Sequence, residues 1–324
     1  MSEELARKHE PIVRYSKGEN FYPLAIEPYL AKCSLHHKDE SVGMKGMVLP
    51  PEMVDEDMLK SFSSPDYYMI YAAQEIPDRE ELERLKEWAE SYKATRGPIE
   101  ELLKKATALG IALQRVFLPL DLPTDVFDRA LQHYVGPETN KPTYYYRFSE
   151  AGGYQILQYW FFFAYNDFAT SHGGVNDHEA DWEQITLFLK EGKPEWAAYA
   201  SHDAKGDELR KKWSDIETVD DHPVIYAAVG SHASYFTKGE HHGIDTADAA
   251  GRVIGPGGTA WETPGDLDKA VWATDYQGLW GFYAHDRISD RLLKGAVSPA
   301  GPKFNKDGTV RTAWKDPLGW AELK

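Results

Sequence analysis

Between residues 181 and 189 the side chains alternate with period two, and an extended chain sends alternate residues to opposite faces. Asp181, Glu183, Ile185, Leu187 and Leu189 share one face, and Trp182, Gln184, Thr186 and Phe188 share the other. A strand of this kind buries its aliphatic length in a core and leaves its two carboxylates at the rim, about 7 Å apart by strand rise. His178 stands three residues before Asp181, in a turn marked by Gly173-Gly174 and Asn176-Asp177. A histidine and two carboxylates converging at a strand mouth suit a divalent cation: oxygen ligands favour Ca or Mg, and a mixed nitrogen and oxygen set suits Zn. The competing reading is a polar cluster that starts a strand and binds nothing. The zincin helix motif does not apply, because its second histidine would fall at Trp182.

Strand patterns recur around this segment. Tyr144-Tyr145-Tyr146-Arg147-Phe148 and residues 154–165 are runs of aromatic and aliphatic side chains, the second ending at Asn166-Asp167. Residues 196–202 and 223–232 are further apolar strands with polar ends, closing at His202 and at Ser231-His232. One face of the first carries Trp196, Ala198, Ala200 and His202; one face of the second carries Val224, Tyr226, Ala228 and His232. These ends predict a single rim drawing on Asp167, His178, Asp181, Glu183, His202, Ser231 and His232. The expected fold is mainly β, an antiparallel β-sandwich spanning residues 1–324 as one domain and decorated by a helical insertion (α+β).

That insertion is expected over residues 77–136, where the period changes to that of a helix. Asp78 and Glu81 make a capping box, Leu82, Leu85, Trp88, Ala89 and Tyr92 share a face, and Gly97-Pro98 opens a second helix. Residues 11–30 read as a short strand, a Lys17-Gly18 turn and a proline-punctuated edge, and residues 34–66 as irregular, with a short helix through Glu56 to Lys60. His36-His37, with no carboxylate or thiolate beside it, reads as a solvated loop. The late tryptophans, Trp280, Trp314 and Trp320, stand among turn residues and read as a meander packed over the sandwich.

With 52 acidic and 36 basic residues among 324, the net charge of -16 argues against nucleic acid or an anionic membrane surface as partner. The charged first ten residues and the lack of any run of about 18 apolar residues predict neither a signal peptide nor a transmembrane segment. A single cysteine, Cys33, excludes an internal disulfide and fits a reducing compartment, so the expected location is cytoplasmic.

Several motifs together resemble the Vps62-like family: His178-Glu179-Ala180-Asp181-Trp182-Glu183, the preceding Tyr165-Asn166, the Ala200-Ser201-His202 strand end, residues 222–236, and the late Trp280-Gly281, Gly301-Pro302 and Trp314. The opening residues 11–29 share that resemblance. The stretch around His178 is also similar to the core motif of the NPP1-type necrosis-inducing proteins, in which a β-sandwich presents a divalent cation at its rim. That similarity implies His178, Asp181 and Glu183 as ligands, with Asp167 or Asp177 as the upstream aspartate. The secretion signal and disulfide cysteines of that group are missing here, which speaks against membrane lysis and toxicity. Three functions follow as expectations. The first is a cation-bearing rim that binds a small polar ligand, a head group or a glycan. The second is a metal-dependent hydrolase or Lewis-acid enzyme with His202 or His232 as acid or base and Ser231 as positioning donor. The third is a non-catalytic, trafficking-associated module with a purely structural cluster.

Overall fold

The computed structural model describes residues 2–39, 47–50, 53–71, 141–166, 178–201, 204–242, 245–281 and 298–324. The helical insertion expected over 77–136 lies outside the described residues, as do Asp167 and His202.

Sixteen strands run through the described residues: β1 (Ile12–Tyr15), β2 (Cys33–His37), β3 (Met47–Leu49), β4 (Tyr67–Tyr71), β5 (Tyr145–Ala151), β6 (Tyr154–Asn166), β7 (His178–Lys190), β8 (Lys193–Tyr199), β9 (Arg210–Lys212), β10 (Thr218–Val219), β11 (His222–Ala227), β12 (Ser234–Tyr235), β13 (Gly239–His241), β14 (Asp245–Ala247), β15 (Val253–Ile254) and β16 (Gly265–Asp266). The organising element is the antiparallel pair β6 and β7, thirteen residues each. It holds one register from Gln155 opposite Leu189 to Asn166 opposite His178. These two strands are long because both of their faces are apolar, which is the pattern of a strand covered on both sides. They centre a six-stranded sheet in the order β16-β5-β6-β7-β8-β9.

The odd-numbered residues of the pair, Leu157, Tyr159, Phe161, Phe163, Ile185, Leu187 and Leu189, pack with Val13, Tyr15, Ile225, Ala227 and Ile254 of a second sheet ordered β10-β11-β1-β15. This is the β-sandwich expected from the alternation. The strands are not all antiparallel: β1 runs parallel to β11, and β16 parallel to β5. On the other side, Trp160, Phe162 and Trp182 pack against Cys33, Leu35, Met69 and Tyr71 of a small sheet ordered β3-β2-β4, together with Trp272, Trp280 and Trp314. The late tryptophans thus cover the sandwich, as their spacing suggests.

Three local readings change. Residues Ile26–Leu30 form a helix turn in place of a proline edge, with Tyr29 and Leu30 buried on the sheet. His36 and His37 lie in β2, not in a solvated loop. His36 is 3% exposed because Ser34 supplies a hydrogen-bond partner at 2.8 Å and Tyr68 stacks on its ring. The face of β11 carrying Val224 and Tyr226 looks away from the sandwich interior, into a separate apolar cluster with Ile12 and Tyr235.

Candidate functional site

β7 delivers the acidic mouth. Asp181 stands opposite Phe163 and Glu183 opposite Phe161, on the face whose continuation is Ile185, Leu187 and Leu189. The strand reading therefore places both carboxylates as expected. Ala180 interrupts the alternation with φ of 56°. This left-handed conformation is unfavourable for a residue bearing a Cβ. Its effect is visible in Glu179, which packs beside Gly281 and hydrogen-bonds the Tyr71 amide, on the side of the small sheet.

Asp181 is 7% exposed and fully engaged. Its Oδ2 accepts from Asn166 Nδ2 at 2.9 Å and from His232 Nδ1 at 3.0 Å, and its Oδ1 accepts from the Trp182 amide at 2.9 Å. His232 reaches this position through a tight turn, in which its amide donates to Ala228 O at 3.1 Å and its φ is 57°. It does not continue the Val224 face of β11; its ring stacks on Phe163, centroids 3.8 Å apart. On its far side, Nε2 faces Glu19 Oε1 at 3.4 Å. Glu19, from the loop after β1, is itself held by the amides of Asn20, Phe21 and Gly230 at 2.8–2.9 Å.

The electrostatics follow from this sandwich of charges. Burial alone would strip the proton from His232, but Glu19 and Asp181 on its two sides outweigh burial and raise its pKa to about 10. Burial likewise works against both anions, and His232 with the hydrogen-bond donors overcomes it, so Glu19 and Asp181 titrate below the usual carboxylate range. Glu183 behaves oppositely. Burial, then the neighbouring Asp181 charge, pushes its pKa well above the usual range, against a smaller pull from His232. His178 is made less basic by burial, which exceeds the opposing influence of Asp181, and its buried Nδ1 has no hydrogen-bond partner among the described residues.

Of the rim expected from sequence, the structure thus joins Asp181 directly to His232 and sets Glu183 and His178 within their field. Ser231 turns aside and donates to Asp245 Oδ1 at 2.8 Å, with Tyr235 on the other oxygen of that carboxylate. Asp167 and His202 fall outside the described residues. Among the described residues, no group of three His, Cys, Asp or Glu side chains is placed to hold a metal ion. Sequence reasoning missed Glu19 and Asp245. Glu19 follows Gly18 in a polar turn and reads there as a solvated acid, so only tertiary contact reveals its role.

No family model matches the chain. A Saccharomyces cerevisiae protein described as vacuolar protein sorting-associated, TDA6, is 30% identical over 110 residues, covering 28% of this chain and 24% of that protein. The match therefore spans about a quarter of the yeast relative's length. Among solved structures, necrosis and ethylene inducing protein 2 from the causal agent of cocoa's witches' broom disease is similar over 43% of this chain and 56% of its own, at 17% identity and a TM-score of 0.28. NLPPya in complex with mannosamine is similar over 56% of this chain and 67% of its own, at 14% identity and a TM-score of 0.31. These are the two groups that the sequence motifs resemble. Among the described residues, no helix is long and apolar enough to cross a membrane.

Proposed function

We propose that the chain binds a small polar ligand, a head group or a glycan, at the rim formed by His178, Asp181 and Glu183, with a divalent cation completing the site. The observation that carries this reading is Glu183. It is partly buried beside an ionised Asp181, it takes no hydrogen bond or ion pair among the described residues, and its own ionisation is opposed by burial and then by that neighbour. A bound cation removes that conflict, since it favours both carboxylates in their charged form. His178 adds a neutral imidazole with an unpartnered nitrogen, a competent ligand. Asp167 is the further ligand expected from sequence. The carboxylate-rich set favours Ca or Mg, with Zn as the alternative. When bound, the cation would supply a positive charge to which ligand hydroxyl oxygens can coordinate.

His232 is less suited to acid or base catalysis than its sequence position suggests. It is 1% exposed, is clamped between two carboxylates, and keeps its proton through the neutral range, so it neither takes up nor releases one readily. Its role in this proposal is to hold Asp181 oriented. The buried, unpaired thiol of Cys33 is compatible with the cytoplasmic location we propose. A trafficking-associated role is the alternative suggested by the name of the yeast relative.

Saturation-transfer NMR tests the proposal, using a panel of monosaccharides and glycerol-based head groups with Ca or Mg present and then with chelator. Signals that require the cation and vanish in Glu183→Gln support it. Ligand signals indifferent to chelator would refute the role given to the cation.

A further inference from the structure

Two histidines fasten the N-terminal segment to the turn between β10 and β11. A helix, α1 (Ser2–Lys8), leads into His9 and Glu10. His9 Nδ1 donates to Asp221 O at 2.9 Å, and His222 Nδ1 donates to Glu10 O at 2.8 Å. Each ring therefore bonds the carbonyl of the residue beside the other histidine. One turn earlier, Ala6 is fully buried in the core cluster of Tyr144 and Tyr159, and its carbonyl accepts from the Tyr159 hydroxyl at 3.0 Å.

The two rings differ in their surroundings. His222 is only partly buried, whereas His9 is 0% exposed, with Trp213 edge-on to it at 6.3 Å between ring centroids. Donation from Nδ1 to a carbonyl fixes the neutral ring with its other nitrogen bare. In His9 that second nitrogen, Nε2, is buried and has no hydrogen-bond partner among the described residues. A proton added there would place a charge on a buried ring. Burial accordingly makes His9 less basic, and Lys8 acts in the same direction; the Asp221 carbonyl and carboxylate and the Gly192 carbonyl oppose this without cancelling it. The charges nearest the clasp are engaged with one another: Lys8 with Asp221 at 3.6 Å, Arg7 with Glu10 at 3.8 Å, and Glu10 with the Tyr144 hydroxyl at 3.3 Å. Asp215 after Trp213, Asp220 before Asp221, and Glu191 and Lys193 beside Gly192 are exposed to water.

We propose that this clasp is an acid-sensitive latch: protonation of His9 expels its ring, releases α1 and uncovers the Tyr144 and Tyr159 side of the sheet. The proposal stands on the clasp alone and is independent of the rim. Released, His9 titrates near the ordinary value of about 6.5; docked, it titrates lower. Docking is therefore fully supported above about pH 6.5 and loses that support as pH falls below it.

Native-state hydrogen exchange of the full chain at about pH 7.5 and about pH 5.5, corrected for the intrinsic rates, tests the latch. The open population of α1 should rise about threefold to tenfold at the lower pH, where one proton per chain contributes at most about tenfold per pH unit. The opening should be local, with β6 amides better protected than those of α1 at both values. His9→Asn keeps a donor for Asp221 and cannot be protonated, so the rise should vanish; His222→Asn leaves His9 in place and should retain it. If His9→Asn opens α1 at both values, the wild-type ring resonances carry the test, and His9 should titrate below about 6.5 in step with the loss of α1 protection. Unchanged α1 protection in wild type, an undiminished rise in His9→Asn, a His9 ring that titrates at or above its ordinary value, or α1 opening only together with β6 would overturn the latch.

Discussion

Two residues with side chains, Ala180 and His232, adopt left-handed backbone conformations on either side of Asp181, with φ of 56° and 57°. Such conformations cost on the order of 1–3 kcal/mol each and persist where the surroundings impose them. Here they turn Glu179 away from Asp181 and swing His232 back onto it. Asp181 and Glu183, two residues apart, should therefore respond differently to mutation. Asp181→Ala leaves the buried imidazolium short of a partner and is expected to cost about 3–5 kcal/mol in urea denaturation. Glu183→Gln imitates the protonated carboxyl that burial and then Asp181 favour, and is expected to leave the stability of chelator-treated protein unchanged. The His232 pKa of about 10 also predicts a pH dependence. Because the folded value lies above the unfolded value of about 6.5, this contribution is complete below pH 6.5 and is lost as pH rises through 10. The slope approaches about 1.4 kcal/mol per pH unit within that window. The depressed Glu19 and Asp181 contribute stability present above their ordinary range of about 4 and lost as pH falls through their lower folded values. These three groups place the maximum for metal-free protein between about pH 5 and 6.5, and within that window the raised Glu183 loses stability with rising pH while the lowered His178 gains it, so the two oppose each other. A maximum above pH 8 would contradict the charged state of His232.

At the scale of elements, the β6 and β7 pair carries both the core and the site, so core mutations should act on the whole domain. Leu187 is fully buried between Leu157 and Ala197, and Leu187→Ala is expected to cost about 2–5 kcal/mol, read from the denaturation midpoint. Gly281 lets the chain pass over β7, since an added Cβ would stand 2.4 Å from Ser298 Oγ and 2.5 Å from Glu179 Cβ. β7 was legible in sequence because its inward face changes from acidic to aliphatic, which marks both the strand and its mouth. β8 and β11 were harder to orient. Both of their faces are apolar, so period two shows the alternation but not which side meets the sandwich: Ala197, Tyr199, Ile225 and Ala227 face inward, not Trp196, Ala198, Val224 and Tyr226. His36 escaped for a related reason, since its partners Ser34 and Tyr68 become neighbours only once β2 and β4 pair.

At the scale of the whole molecule, the candidate rim is assembled from three separate stretches of chain. The loop after β1 gives Glu19, β7 gives His178, Asp181 and Glu183, and the turn after β11 gives His232. A site of this kind exists only in the folded domain, so the proposed cation, when bound, would stabilise the native state by mass action, about 2.7 kcal/mol at a hundred times the dissociation constant. The melting temperature should rise with added Ca or Mg in wild type and rise much less in Glu183→Gln. The most direct measurement is plasma mass spectrometry of the metal content of untagged protein, purified without chelator and dialysed against Ca and Mg, with Glu183→Gln alongside. Close to one divalent cation per wild-type chain, and a clear loss in a variant that keeps its fold, is the predicted result. Equal metal content in the two proteins, or none in wild type after cation is supplied, would contradict a cation site at this rim.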